Sequence, residues 1–464
     1  MNISPARITA FEILLRVANE DAYASNLLAA PRFEKLSAAD HGLAHELTLG
    51  VLRWQGRLDF FIEHFTKRKI TKLDAEVVIA LRLGLYQLLF LDRVPAHAAI
   101  NDAVNLVKFS KKKSAAPMVN AVLRVVQREG KDALEKRITS LENLFERVSI
   151  MTSHPVWLLQ KWAERFSADE AQALAQANNH APRTAFRFNR KVQDEAMTRE
   201  WFAANNIQFR ASEICPDAFV IEDGNFSAKS EPIKSYWIYL QDEASQLVAH
   251  LTTNSTIRIP QSALDLCAAP GSKTSLVASL LPEESTIVAC DLHLHRLQTM
   301  RDLVARANLT NINLLQLDAT KSLPFAVETK FDVVLLDAPC SGLGTLQRHP
   351  EIKWKIDQTK IFELAALQKR LIENAASHVS EGGILVYSVC STEPEEGEEI
   401  IAEFCGAHAE FRDVTSERLR VLALEGAKFF TQNFGARTFT HQHGCESFFV
   451  CLLEKSKNAE ARTQ

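Results

Sequence analysis

Apolar residues recur every three or four positions through the first third of the chain. Phe11, Leu14, Leu15 and Val17 do so, then Leu43, Leu47, Val51 and Leu52, then Val77, Leu81, Leu85, Leu88 and Leu89. That period places them on one face of a helix, so residues 1 to about 145 predict an all-α domain of several short helices. Pro95 is expected to start a helix over 98–107, and Pro117 another over 119–126, because proline suits the first turn, where its missing N–H costs nothing. Between 146 and 255 the pattern mixes. Pro155 opens a helix through Leu158, Leu159, Trp162 and Phe166, residues 184–189 alternate like a strand, a helix passes through Trp201, and 235–240 again reads as a strand. This is a small α+β module and linker.

From about 256 strands and helices alternate. Apolar strands are expected at 263–267, 287–290, 312–317, 333–336 and 384–389, with helices such as 294–307 and 361–379 between them. Such alternation predicts a doubly wound parallel sheet, in which ligands bind at the carboxyl ends of the strands. The residues just past each strand are therefore the ones to inspect.

The first strand runs into Asp265-Leu-Cys-Ala-Ala-Pro-Gly-Ser-Lys-Thr274. Its small residues and Gly271 are expected to let backbone approach a ligand, and the helix that follows favours an anionic group at its N-terminus. The spacing is neither a dinucleotide fingerprint nor a Walker A loop. A ligand carboxylate such as the methionine end of S-adenosylmethionine would suit it. The second strand ends at Asp291, where doubly wound nucleotide sites put an acid on ribose hydroxyls. The third ends at Asp318, placed to meet an adenine edge, although a strand-end Asp also serves as a helix cap. Together these acids and the small-residue loop point to a nucleoside site.

The fourth strand ends in Asp337-Ala-Pro-Cys-Ser-Gly342 and the fifth in Tyr387-Ser-Val-Cys-Ser391. Two thiols, Cys340 and Cys390, thus leave adjacent strand tips beside the expected ligand. Cytosine C5 is too poor a nucleophile to take a methyl group directly, whereas a thiolate added at C6 makes C5 enamine-like. Asp337 is placed to hydrogen-bond N3 of such a base as charge develops. Covalent catalysis of this kind divides one difficult step into easier ones, and the residues alone leave open which thiol attacks.

Composition narrows the class. The chain has 464 residues, enough for two or three domains, and no apolar run long enough to span a bilayer. Residues 1–20 carry Glu12 and Glu20 and read as an amphipathic helix, not a signal peptide, so a soluble cytoplasmic protein is expected. Eight scattered cysteines show no C-x-x-C pair and no metal-ligand spacing, and no metal is expected. Cys267, Cys290 and Cys451 lie in apolar runs and read as small buried side chains. Net charge is −4, unevenly spread: residues 1–150 hold 22 Lys and Arg against 17 Asp and Glu, a balance of +5. The clusters Lys67-Arg68-Lys69 and Lys111-Lys112-Lys113, with Lys108, are therefore candidates to meet phosphate, or else ordinary solvated helix ends.

The runs Asp265–Thr274, Asp337–Gly342 and Tyr387–Ser391 together resemble the Sun/Fmu family of RNA cytosine-C5 methyltransferases. So do Arg348-His-Pro-Glu-Ile-Lys-Trp354, Tyr239-Leu-Gln-Asp-Glu-Ala-Ser245 and Arg187-Phe-Asn189, while Gly84–Gln87, Val94–His97 and Val119–Arg124 resemble the helical NusB fold. The resemblance implies an all-α NusB-like RNA-binding domain at 1–145 and an α+β linker module at 146–255. It further implies an α/β Rossmann-like class I methyltransferase domain at 256–456, followed by a disordered tail at 457–464. It implies S-adenosylmethionine as methyl donor, held by Cys267, Ala268, Ala269, Pro270, Gly271, Ser272, Lys273, Asp291, Asp318 and Asp337. Cys390 would be the nucleophile, Cys340 the thiol that helps release the adduct, and Asp337 a third catalytic group. The implied substrate is a looped or unstacked cytosine of 16S ribosomal RNA, met by a monomer. Three departures from the family pattern stand out: Ser272 where Gly is usual, Val389 where Thr is usual, and Cys445-Glu-Ser-Phe-Phe449 where Asp-Gly-Phe-Phe is typical.

Rival readings fare worse. A nicotinamide dehydrogenase would lack its glycine fingerprint and leave both thiols idle. An exocyclic-amine methyltransferase would carry Asn/Asp-Pro-Pro-aromatic after the fourth strand. A DNA cytosine methyltransferase would put its nucleophile there and leave Cys390 unexplained. A vestigial RNA-binding scaffold would have no use for Cys340, Cys390, Asp291 and Asp337.

Overall fold

The computed structural model describes all residues except 1–2, 21, 31–35, 225, 228, 254–258, 423, 425–428, 430–432 and 457–464. The tail expected to be disordered and the boundary expected near 255 lie outside the described residues. Two compact units emerge: Met1–Ala181 with Leu346–Lys355, and Pro182–Thr345 with Ile356–Gln464. The segment 146–255 is thus divided between them.

The first unit is helical, as its periodicity requires. Its helix Ala75–Phe90 is buried almost without interruption from Val77 to Gln87, which makes it the central element around which the others pack. Pro5–Asn19, Ala38–Arg53, Ala96–Phe109 and Ala116–Thr139 surround it, burying Phe11, Leu47, Ile100 and Leu123 in one cluster. Helix starts are chemically marked: Ser4, Ser37, Asn143 and Ser167 each accept a backbone N–H of the first turn. The helix expected over 119–126 runs on to Thr139, broken at Gly130 (φ 78°, ψ 167°), because polar residues after 127 disguise a buried Leu134 and Ile138.

Residues 346–355 belong to this unit through their own contacts. The Arg53 guanidinium donates to the Gln347 carbonyl at 2.9 Å, Lys353 Nζ to the Arg53 carbonyl at 3.0 Å, and the Ala24 N–H to Glu351 Oε1 at 2.9 Å. The Arg348–Trp354 motif is therefore an anchor within the helical unit.

The second unit contains two sheets. The smaller comprises β1 (Ala185–Phe188), β2 (Gln208–Ala211), β3 (Phe219–Asp223) and β4 (Ile238–Leu240), all antiparallel in the order β2-β3-β1-β4. Phe186, Phe188, Phe202, Phe209 and Phe219 pack beneath it in edge-to-face, tilted and stacked pairs, with Phe186 fully buried. The strand expected over 235–240 is shorter because Tyr236 takes a left-handed turn (φ 58°) after the short helix Glu231–Lys234.

The larger sheet comprises β5 (Ser262–Asp265), β6 (Thr286–Asp291), β7 (Ile312–Gln316), β8 (Phe331–Asp337), β9 (Val379–Val389), β10 (Phe411–Asp413), β11 (Ala436–Arg437) and β12 (Phe449–Lys455). Its order is β10-β12-β9-β8-β5-β6-β7, with β11 paired to β12. Strands β5 to β9 pair in parallel, but β12 returns antiparallel to β9, with Phe449 opposite Val389. The sheet is mixed where a parallel one was expected. The cause is the apolar run Phe449–Leu453, buried on both faces and inserted between β9 and β10. Strand order reverses at β5, which lies between β6 and β8 and opens a crevice at its carboxyl end.

Candidate active site

Asp337, the last residue of β8, stands in register with Ser388 on β9, so the segments that follow leave the sheet side by side. Cys340 and Cys390 lie on those segments. Their sulfurs are 3.3 Å apart, both are free thiols, and both are partly exposed. The hydrogen bond with Cys390 raises the Cys340 thiol well above the ordinary range; burial adds to this, as do the nearby charges of Cys390 and Glu396. Cys340 thus holds its proton and can donate it towards the Cys390 sulfur.

Asp337 joins three elements. Its Oδ2 accepts from Lys273 Nζ at 2.7 Å and its Oδ1 from Ser388 Oγ at 2.8 Å. Lys273 is buried, which alone would push its ammonium down. The charge of Asp337, their hydrogen bond, and the charges of Cys390 and Asp265 more than offset that cost and raise it. The ammonium also lies 4.7 Å from the centre of the Phe448 ring. A fixed positive charge therefore sits near Cys390 and beside the strand-tip acid.

The loop after β5 is tied down on both sides: Leu266 N–H donates to the Leu335 carbonyl and Ala268 N–H to the Cys290 carbonyl. Cys267 is half-buried there, next to Ala268, Ala269 and a cis Pro270. Gly271 has φ 102°, and a Cβ on it would come within 2.8 Å of Met300 Cγ. Its glycine is required by the left-handed turn and by packing against the helix Leu294–Arg306. Ser272 begins the helix Ser272–Leu280 without a positive φ, so its side chain causes no strain.

Asp291 ends β6, buried, accepting the His293 N–H at 2.9 Å and pairing with Arg296 at 3.3 Å. Arg296 also donates to the Ala269 carbonyl, linking this acid to the loop. Asp318 lies two residues beyond β7 and is occupied locally. It accepts the Thr320 N–H and hydroxyl and pairs with Lys321, contacts that hold it below the usual carboxylate range. Its role as a turn cap is visible in those bonds.

Asp265 was passed over in the sequence beyond its place in the loop motif. Its Oδ2 accepts from Thr274 Oγ1 at 2.6 Å, while its buried Oδ1 has no hydrogen-bond partner. Burial raises this carboxyl to about 7, with the Thr274 bond opposing and Asp337 assisting. Glu396 was missed as well. It is fully buried, yet it lies in an acidic run, Glu393–Glu399, that reads as solvated surface.

The three departures are accommodated. Val389 is buried in the core beside Tyr387 and Phe449, while the next residue, Cys390, points to the other face. Cys445 is buried, Glu446 N–H faces Asp242 at 3.3 Å, and Ser447 Oγ accepts the Thr440 N–H. Gly344 meets this turn directly: its N–H donates to the Cys390 carbonyl at 3.0 Å and its carbonyl accepts the Ser447 N–H at 2.9 Å.

Among the described residues no cluster of three or more His, Cys, Asp or Glu is arranged to hold a metal, and no helix is long and apolar enough to cross a membrane. The family profile described as 16S rRNA methyltransferase RsmB/F matches residues 256–454, that of the NusB family residues 4–128, and that of the RsmF/B-like ferredoxin-like domain residues 154–225. A probable ribosomal RNA small subunit methyltransferase B of Bacillus subtilis (strain 168) is 31% identical, over 98% of this chain and 100% of the relative. The ribosomal RNA small subunit methyltransferase B of Pseudomonas syringae pv. tomato is 32% identical, over 97% of this chain and 96% of its own. The crystal structure of PH0851 shares the fold, with a TM-score of 0.80 at 24% identity, covering 98% of this chain and 100% of that one.

Proposed function

Since the chain belongs to the 16S rRNA methyltransferase RsmB/F family, we propose that it methylates C5 of one cytosine in 16S ribosomal RNA through a covalent bond between Cys390 and C6. The observation that carries this reading is the 3.3 Å thiol pair beside the Lys273–Asp337 ion pair. Two adjacent thiols have no use in methylating an exocyclic amine or a hydroxyl.

S-adenosylmethionine, the methyl donor of this family, supplies an electrophilic methyl group when bound. The residues present fit it. The unpartnered Asp265 Oδ1 suits the amino group of its methionine part, and the start of the helix Ser272–Leu280 suits the carboxylate. Residues Cys267 to Lys273 line that end, Asp291 suits the ribose hydroxyls, and Asp318 the adenine side.

In the reaction, the Lys273 ammonium favours the Cys390 thiolate, which adds to C6 and pushes its electron pair towards C5. Asp337, with lone pairs left beyond its bonds to Lys273 and Ser388, is placed to accept a hydrogen bond from N3 as that nitrogen takes up a proton from solvent, which neutralises the negative charge developing on the ring. After C5 gains its methyl group, a base takes the C5 proton to form its own N–H or O–H bond, the C5–H electron pair becomes the C5–C6 double bond, and the Cys390 sulfur leaves as thiolate. Cys340 assists that release. The base must be unpaired, because a stacked cytosine in a duplex does not offer C6 to a sulfur. The enzyme works as a cytoplasmic monomer, and its helical N-terminal region helps select the cytosine.

Incubation with methyl-labelled S-adenosylmethionine and unmethylated 16S RNA tests the reading. Wild type should label cytosine C5, Cys390→Ala should not, and Cys340→Ala should accumulate a protein–RNA adduct that survives denaturation. Full labelling by Cys390→Ala would overturn it.

A further inference from the structure

One buried carboxylate grips both thiol-bearing segments. Glu396 Oε1 accepts the Ser341 backbone N–H at 2.7 Å and Gln368 Nε2 at 3.2 Å. Its Oε2 accepts the hydroxyls of Ser341, adjacent to Cys340, and Ser391, adjacent to Cys390, and those hydroxyls are 3.2 Å from each other. Its backbone carbonyl accepts Tyr387 OH at 2.6 Å, which ties it to β9 as well. Glu396, Ser341, Ser391, Gln368 and Tyr387 are all buried. Four donors converge on two oxygens, an arrangement that only an ionised carboxylate satisfies completely.

We propose that Glu396 is the positioning residue of the two-thiol site, setting the distance between the sulfurs and deciding that Cys390, not Cys340, is the one that attacks. The reasoning is electrostatic as well as geometric. Titratable groups that act on Cys340 are Cys390, Glu396 and, from β9, the neutral Tyr387 phenol, while Lys273, itself paired with Asp337, acts on Cys390. The Glu396 charge helps keep the proton on Cys340, which leaves Cys390 as the sulfur that attacks. This inference rests on the thiol mechanism above and adds what makes the two sulfurs unequal.

The conservative variant Glu396→Gln keeps the shape and removes the charge. The Ser341 N–H cannot accept, so the amide oxygen must face it, and the NH2 is left against two hydroxyls that must turn round. The direct readout is alkylation of Cys390 and of Cys340 by iodoacetamide across pH, resolved by peptide mass spectrometry on the full chain. Wild type should alkylate faster at Cys390. In Glu396→Gln that preference should fall by about tenfold or more, the effect of one pH unit in thiol acidity, and kcat should fall with little change in KM for S-adenosylmethionine. Ser391→Ala removes one leg of the grip and serves if Glu396→Gln does not fold; it should reduce the preference in the same direction. Glu396→Asp, which keeps the charge, should restore part of the preference. A wild-type Cys390 preference, kcat and pH profile in folded Glu396→Gln, or in Ser391→Ala should the former not fold, would overturn the proposal. Alkylation needs no RNA, so this failure is distinct from failure of the methylation reading, which would show as full methyl labelling of RNA by Cys390→Ala.

Discussion

Lys273 Nζ lies 2.7 Å from Asp337 Oδ2, joining the helix that follows β5 to the tip of β8 where the strand order reverses. Ser388 on β9 reaches the same carboxylate, so one acid joins two neighbouring strands and a helix at the crevice. Substituting Asp337→Asn strips the buried ammonium of its counter-charge. Turnover should fall by about 10²–10⁴. Stability should fall by about 1–3 kcal/mol, less than for a wholly buried pair because Asp337 is partly exposed. Single-turnover methylation and urea unfolding measure the two effects, and an unchanged turnover would remove Asp337 from the mechanism.

Gly344 is pinned between two carbonyl groups. A Cβ there would collide with the Ser447 carbonyl oxygen and come within 2.9 Å of the Cys390 carbonyl. Gly344→Ala must therefore shift either the final turn or the Cys390 backbone, at a cost of about 1–3 kcal/mol. Methyl transfer should drop far more than S-adenosylmethionine binding, which calorimetry can check. A variant with normal kcat would show that the Cys390 backbone tolerates displacement.

Burial holds the Asp265 carboxyl at about 7, against 3.8 for an unperturbed one. Between those values the folded chain keeps a proton that the unfolded chain has released, so this group's contribution to stability is complete below 3.8 and is lost as pH rises towards 7. The decline is at most about 1.4 kcal/mol per pH unit. Cofactor affinity should move the opposite way, rising through this range, because the ligand amino group pairs with the ionised form. Unfolding and calorimetric titrations of wild type and Asp265→Asn from pH 5 to 8 should show both slopes flattened in the variant.

Phe186 sits at the centre of five packed rings under the small sheet. Phe186→Ala should cost about 3–5 kcal/mol, read by chemical denaturation. A loss below 1 kcal/mol would mean that the neighbouring rings collapse into the space.

Much of the site was legible along the chain because doubly wound sheets deliver their chemistry at strand ends. Asp291, Asp337, Cys340 and Cys390 each follow or close an apolar strand, and alternation alone locates such points. Lys273 belonged to a legible loop, but its partner did not follow from spacing, since the 64-residue separation from Asp337 is spanned by the fold. Gly271 was visible as part of that loop, but its close packing against Met300, from a helix two elements on, was not.

Local pattern thus determined the helical first unit, the strand–helix alternation and the two cysteine-bearing tips, because periodicity and strand ends are properties of neighbouring residues. Tertiary structure alone decided the antiparallel insertion of β12, the burial of Glu396 within an acidic run, and the unpartnered oxygen of Asp265. Each depends on segments far apart in sequence meeting in a low-dielectric interior. Whether a carboxylate is solvated or gripped by four donors is set by that meeting, and not by the residues on either side of it.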